Sequence, residues 1–149
     1  MAELMKGGDV ASTVKKLVSL ENQVKEYSID LTVNEVYALA GPGKIDFSGR
    51  EYEEPRRVKL EPKKSPEDEY GWWELRPGKY LVTLNEVVEK VDGIGFISPH
   101  PRLLKVGCTH ATLFTLEWGS EYVIPLTVGG NGLELKENSR ISKLLVLKL

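Results

Sequence analysis

The stretch SIDLTVNEVYAL, residues 28–39, alternates apolar and polar side chains along most of its length. Ile29 and Leu31 fall on one face of an extended chain, while Asp30 and Thr32 fall on the other. A period of two is typical of a β-strand, because successive side chains point to opposite faces of a sheet. The stretch therefore predicts a half-buried strand, and it favours a β fold for the chain around it.

The residues on either side of this strand complete a mainly β prediction. Apolar residues at helical spacing over about 9–20 indicate one N-terminal helix. A β core is expected over about 27–149, interrupted at about 41–71 by a long charged loop that holds one short strand around RRVKLEP. Beyond it, short apolar runs are separated by turn residues, which favours an antiparallel jelly-roll-like barrel or a sandwich.

Length and charge restrict the classes of protein. The 149 residues correspond to one domain, 1–149, with a formal net charge of -2. Basic and acidic residues are interspersed, so no cationic surface for nucleic acid is expected. No apolar run is long enough to cross a bilayer, and no membrane association is expected.

The cysteine and histidine content bears on location and on metal binding. Cys108 is the single cysteine, which excludes an intrachain disulfide and favours the cytoplasm. The two histidines, His100 and His110, lack the spacing of paired zinc ligands. No zinc site is therefore expected.

Five segments in order carry a resemblance to a known family. They are YSIDLTVNEVYAL (27–39), WWELRPGKYLVTLNEVVEKV (72–91), SPHPRLLKVG (98–107), TLFTLEWGSEYVIPLTVGGNGLELKE (112–137) and ENSRISKLLV (137–146). Together they resemble the trimeric dUTPase and dCTP deaminase superfamily, in particular its short archaeal dUTPase-like branch. The resemblance implies a mainly β, dUTPase-like fold: a β-clip or jelly-roll-like distorted antiparallel barrel with one N-terminal helix. It also implies a homotrimer and a deoxynucleoside triphosphate ligand.

The segment SPHPRLLKVG lies where the family has PRSSLLRxG, a phosphate-binding motif. Its Arg-Ser-Ser positions fall on His100, Pro101 and Arg102, and the later cation falls on Lys105. Pro101 has neither a hydroxyl nor a backbone N–H to donate to a phosphate. By resemblance, His100, Arg102 and Lys105 are the candidate phosphate-binding residues here, with surface charge as the alternative for Arg102 and Lys105.

The segment after it corresponds to the motif that holds the catalytic carboxylate of dUTPases. Thr115 stands at the position of the missing Asp, and threonine is no base at neutral pH. Glu117 is two residues further on, and a displacement of two residues along a strand keeps the same face. Glu117 is therefore the candidate base if catalysis survives. A deaminase would need a glutamate near Leu126, where the sequence is apolar.

The first and last motifs supply the remaining candidates. Asp30 is retained, and the resemblance implies an indirect role with Mg²⁺, beside the alternative that local hydrogen bonds satisfy it. Arg140 is retained as a phosphate ligand, whereas Asn138 replaces a glycine and Lys143 replaces a glutamine. Arg140 and Lys143 are odd in separation, so they lie on opposite faces of a strand unless a bulge intervenes.

Three hypotheses follow from these residues. The first is a dUTPase-related protein with eroded active-site motifs, which lacks normal catalysis and binds a nucleotide or a partner. The second is an active dUTP diphosphatase, forming dUMP and pyrophosphate, with Glu117 as a rebuilt base and Mg²⁺ as cofactor. The third is a dCTP deaminase or an unrelated β binding module. Mg²⁺ is expected only if the protein is catalytically active.

Overall fold

The computed structural model describes residues 2–115 and 118–149, and they form a mainly β protein. The strands are β1 Glu3–Leu4, β2 Val14–Lys15, β3 Ile29–Ala40, β4 Arg56–Lys59, β5 Trp72–Leu75, β6 Gly78–Leu84, β7 Val87–Val88, β8 Ile94–Pro99, β9 Thr109–His110, β10 Leu113–Thr115, β11 Val123–Val128, β12 Leu133–Lys136 and β13 Arg140–Lys148. The helices are α1 Gly7–Ala11, α2 Leu20–Gln23 and α3 Pro101–Lys105.

A large antiparallel sheet forms the body of the molecule. Its strand order is β10-β8-β13-β3-β6-β11-β9, with β1 paired to β13 and β4 paired to β3. The sheet curls into a half-barrel, and smaller sheets of β12 with β5 and of β2 with β7 lie beside it. The prediction of a mainly β, antiparallel barrel-like fold is thereby confirmed.

The core is apolar and centres on the long strand β3. Ile29, Leu31 and Val33 are fully buried, and so are Ile97 of β8 and Leu144 of β13. These aliphatic side chains share one continuous cluster. Their burial is the main source of free energy that holds the curled sheet together.

The prediction that β3 is half-buried is wrong for its first five residues. Asp30 and Thr32 are as inaccessible as the apolar residues between them, with 0% and 1% exposure. The second face is covered because α2 and residues from β13 and α3 contact it through side-chain hydrogen bonds. Alternation in sequence therefore marks a division between two buried environments.

The predicted helix over about 9–20 is also wrong as a single element. The segment forms the short helix α1, the strand β2 and the short helix α2. The Thr13 hydroxyl donates to the Val10 carbonyl oxygen at 2.7 Å beyond the end of α1, and Lys16 has a left-handed φ of 63°. Pairing of β2 with β7 replaces the helical hydrogen bonds that the periodicity indicated.

The charged segment over 41–71 matches its prediction more closely. It holds one strand within the bounds expected, β4, all four residues of which are exposed. No helix of the described chain is long and apolar enough to cross a membrane.

Candidate functional site

A buried carboxylate, that of Asp30, gathers three nitrogen donors from other parts of the chain. Its Oδ1 accepts a hydrogen bond from the Lys143 ammonium at 2.7 Å. Its Oδ2 lies 3.3 Å from Nη1 of Arg140 and 3.3 Å from Nε2 of His100. Three of the residues singled out in sequence as binding candidates, together with Lys143, thus form one cluster, called here the Asp30 cluster.

A β-bulge explains how Arg140 and Lys143 reach the same carboxylate. Lys143 pairs directly with Asp30 across β13 and β3, and the register of this pair shifts between Arg140 and Ser142. The bulge offsets the odd separation that would otherwise send the two side chains to opposite faces. The condition that the sequence set for a shared cation pair is met.

His100 connects the cluster to α3. It is the N-cap residue of that helix, and its Nδ1 accepts a hydrogen bond from the backbone N–H of Arg102 at 3.1 Å. Since Nδ1 is an acceptor, the proton of the neutral ring lies on Nε2, which donates to Asp30. Pro101 follows at the first helical position, where the absent N–H breaks no intrahelical bond.

Charge in the cluster follows from these contacts. Burial alone would raise the pKa of Asp30, but the hydrogen bond and the positive charge of Lys143 outweigh it and lower the pKa. Burial lowers the pKa of His100, and the negative charge of Asp30 opposes that change. Near neutral pH the carboxylate is therefore ionised and the imidazole is neutral.

A cleft of about 320 Å³ lies beside the cluster. Its walls come from α3, β12 and the turn that leads into β13, and its lining includes Arg102, Arg140, Leu103, Val106, Glu134 and Ser139. A smaller cleft of about 190 Å³ is lined in part by Asn22, Gln23 and Arg140. Arg140 thus borders both clefts, while the candidate Lys105 lines neither of them.

The surroundings of Asp30 are unfavourable for the Mg²⁺ ion that the resemblance implies. Both carboxylate oxygens already accept from nitrogen donors, two of which belong to basic side chains. A Mg²⁺ ion at either oxygen would face the Lys143 ammonium and the Arg140 guanidinium at short range, where like charges repel strongly. Across 2–115 and 118–149, moreover, no three His, Cys, Asp or Glu side chains form a group that could hold a metal ion. The Asp30 cluster does not fit Mg²⁺.

The candidate base positions stand apart from this geometry. Thr115 is the last residue of β10, opposite Gly95 of β8. Glu117 lies outside the described residues. Leu126, where a deaminase would need a glutamate, is a fully buried core residue of β11.

Two functional neighbours of Asp30 were missed in the sequence. Glu86, also fully buried, accepts from Thr32 N at 2.8 Å, from Thr32 Oγ1 at 2.6 Å and from Gln23 Nε2 at 2.9 Å. Gln23 also donates to the backbone oxygen of Asp30 at 2.8 Å. A signal existed for Glu86, which interrupts an apolar stretch within the segment 72–91. Nothing in the local pattern marks Gln23.

His110, which its spacing from His100 excludes as a paired zinc ligand, makes hydrogen bonds within the protein core. Its Nδ1 lies 2.8 Å from the carbonyl oxygen of Ala111 and therefore donates, so Nε2 accepts from the Ser142 hydroxyl at 2.8 Å. Both ring nitrogens are occupied within the protein, and burial lowers the pKa of His110. The residue is a neutral core histidine.

Comparison with known proteins places this geometry in a family. The model of the dCTP deaminase-like family matches residues 2–149. A probable deoxyuridine 5'-triphosphate nucleotidohydrolase of Methanococcoides burtonii is 29% identical over 144 residues, which cover 91% of this chain and 79% of the relative. One of the same description from Aeropyrum pernix is 34% identical over 133 residues, covering 85% of this chain and 76% of the relative.

A solved structure agrees with these sequence relatives at the level of the fold. The 2'-deoxycytidine 5'-triphosphate deaminase of Agrobacterium tumefaciens superposes with a TM-score of 0.67 at 13% identity, over 99% of this chain. This chain spans about half of that deaminase, 49% of its length. The match of the family model over nearly the whole sequence is decisive, and the chain belongs to the dCTP deaminase-like family.

Proposed function

We propose that this protein binds deoxynucleoside triphosphates at the cleft between α3 and β13 and does not hydrolyse them. The observation that carries the proposal is the neutralisation of Asp30 by Lys143 and Arg140. In the family resemblance, the carboxylate of this motif helps to hold metal and phosphate. Here its charge is already balanced within the chain.

Hydrolysis of a triphosphate needs an oriented water and neutralisation of the leaving pyrophosphate. Thr115 supplies no base at the position of the family's Asp, and Pro101 supplies neither hydroxyl nor N–H at the first serine position. The loss of these donors together with the engagement of Asp30 removes several parts of one mechanism. Catalytic groups that act together depend on one another, so a remaining group does not compensate for those that are lost.

Binding requires less, and the cleft offers what it requires. Arg102 and Arg140 both line it, and guanidinium groups bind phosphate oxygens in a bidentate manner. The apolar side chains of Leu103 and Val106 contribute to the same lining. Positive charge exceeds negative charge among Arg102, Arg140, Lys143 and Asp30, which favours a polyanion.

The assembly is part of the proposal. Leu104 of α3 and Val106, the residue that follows the helix, are 52% and 53% exposed although both are apolar, and Val106 also lines the cleft. We propose a homotrimer in which α3 lies at the subunit interface, in the cytoplasm, where the lone Cys108 stays reduced. A partner protein at this surface is the alternative occupant.

The test is an incubation of the purified protein with each deoxynucleoside triphosphate, dUTP included, and Mg²⁺, with products separated by chromatography. We expect no monophosphate or pyrophosphate above the rate without protein. Formation of dUMP that disappears in Glu117→Gln would instead establish the rebuilt diphosphatase and end the proposal.

Binding is measured in parallel by titration calorimetry with dUTP. We expect Arg102→Ala to weaken binding about tenfold, because a charge-assisted phosphate contact is lost. The matched control is Lys90→Gln, an exposed cation remote in sequence from the cleft residues, which should leave affinity unchanged. Equal affinities for all three proteins would show that the cleft is not the binding site.

A further inference from the structure

We infer that the cleft takes its polyphosphate ligand as the free anion, without the divalent cation that accompanies nucleotides in the related enzymes. The inference rests on the proposed function, because it concerns the same cleft. It adds the chemical form of the ligand: a polyphosphate whose oxygens contact protein cations directly.

The first step is the state of Asp30. Its Oδ1 accepts from Lys143 at 2.7 Å, and its Oδ2 lies 3.3 Å from both Arg140 and His100. Mg²⁺ requires near-octahedral oxygen ligands at about 2.0–2.1 Å and gives up water reluctantly. Because the Lys143 ammonium and the Arg140 guanidinium already contact the two oxygens, a Mg²⁺ ion that approached Asp30 directly or through its coordinated water would face two positive charges at short range.

The second step is the replacement of the family's glutamine by Lys143. The family pattern has a neutral glutamine at this position, and this chain has a cation directly opposite Asp30 in the β3 and β13 pair. A glutamine there would leave the carboxylate with one fewer positive partner. The lysine thus places inside the protein the positive charge that a metal ion would otherwise bring.

The third step concerns the other acidic group of the cleft. Glu134 on β12 lines the wall and is exposed. Among residues 2–115 and 118–149 it has no companions for a metal cluster. Arg102 and Arg140, by contrast, both line the same cleft and carry permanent charge. A Mg²⁺ ion on the triphosphate lowers the charge that these guanidinium groups attract, so metal and protein compete for the same oxygens.

The experiment titrates the full chain with dUTP, and separately with inorganic tripolyphosphate, in EDTA and in excess Mg²⁺ at matched ionic strength. We expect Mg²⁺ to weaken the binding of both probes about tenfold, because it reduces the anionic charge of each. Equal or tighter binding in Mg²⁺, through Glu134 or otherwise, would overturn the inference while leaving nucleotide binding intact. If dUTP binds neither in EDTA nor in Mg²⁺, the proposed function itself is overturned.

A variant tests whether the Asp30 cluster is the cause. Lys143→Gln restores the residue type of the family pattern and removes one positive charge from the surroundings of Asp30. We expect the tenfold penalty of Mg²⁺ to fall to less than about threefold in this variant, while Lys90→Gln keeps it. Thermal unfolding of each variant confirms that it is folded. An unchanged Mg²⁺ response in folded Lys143→Gln would contradict the assignment.

Discussion

Asp30 of β3 and Glu86, which contacts Thr32 of the same strand, are two fully buried carboxylates. The pKa of Asp30 is lowered, whereas the pKa of Glu86 is raised. Asp30 contacts Lys143, Arg140 and His100. Burial raises the pKa of Asp30, but Lys143 and His100 outweigh it and lower the pKa. Burial raises the pKa of Glu86, and hydrogen bonds from Thr32 and Gln23 only partly offset this increase. Burial alone does not decide ionisation, because the charge of the donors decides whether the desolvation of the carboxylate is offset.

The comparison also separates a binding region from an anchor. The side-chain amide of Gln23 donates to both regions, through the backbone oxygen of Asp30 and the carboxylate of Glu86. Its oxygen accepts from the backbone N–H groups of Val18 and Ser19 at 2.7 Å each. Glu86 therefore holds the N-terminal segment against β3 through hydrogen bonds from uncharged donors, whereas the Asp30 cluster concentrates charge next to the cleft.

The largest expected effect comes from removing the charge of Asp30. Asp30→Asn leaves Lys143 and Arg140 without their counter-ion, and we expect the free energy of unfolding to fall by about 3 kcal/mol. Denaturant unfolding measures the change, with exposed Asp92→Asn as the matched control, expected within about 0.5 kcal/mol of the original protein. A loss below about 1 kcal/mol would mean that the cluster contributes little to stability.

A smaller effect on stability is expected at Glu86, whose hydrogen-bond donors are uncharged. Glu86→Gln keeps the shape of the side chain but turns one acceptor into a donor that faces Thr32 N or Gln23 Nε2. We expect a loss of about 2 kcal/mol in the free energy of unfolding, with exposed Glu61→Gln as the control. A loss as large as that of Asp30→Asn would contradict the distinction between the two regions.

The smallest and sharpest effect is the pH dependence of these two losses. The native pKa of Glu86 is above its ordinary 4.5, so its contribution is complete below that pH and is lost as pH rises through the native pKa. The native pKa of Asp30 is below its ordinary 3.8, so its contribution is complete above that pH and is lost only as pH falls through the native pKa.

The cost of Glu86→Gln should therefore shrink as pH rises from 4.5, by at most about 1.4 kcal/mol for each unit of pKa shift. The titration of Asp30 itself should leave the cost of Asp30→Asn unchanged from pH 5 to 8, and a slope below pH 6.5 would report His100, whose pKa Asp30 raises. Denaturant unfolding of the three proteins across this range checks both slopes. Parallel pH profiles would show that the two carboxylates share one environment.

The sequence predicted the candidate cluster better than its arrangement. Asp30, His100 and Arg140 were each singled out, and they lie together. The odd spacing predicts that Arg140 and Lys143 lie on opposite faces unless a bulge intervenes; the bulge is present, and Lys143 is the closest side-chain partner of Asp30. A cross-strand pair of this kind depends on register, and the bulge between Arg140 and Ser142 has no local signature in the residues around it.

Residue conformation shows the same division. Asn138 replaces a family glycine and has a left-handed φ of 62°, a conformation that asparagine tolerates. An asparagine in place of a glycine is in itself typical of a left-handed backbone position. The role of the buried Gln23 amide could not be predicted in the same way. One of its hydrogen bonds joins it to Glu86, 63 positions away, and the other three depend on how the chain folds back between residues 18 and 30.

By itself, the sequence determined the β class, the order of the motifs and the family, because alternation, turn residues and motif spacing are local properties of the chain. It also determined what Pro101 and Thr115 cannot do, since missing hydroxyl, N–H and carboxylate groups are matters of composition. Only the tertiary structure decided that residues 9–20 are not one helix and that both faces of β3 are buried. It alone decided the ionisation of Asp30 and Glu86, because a buried charge depends on donors that folding brings from distant segments.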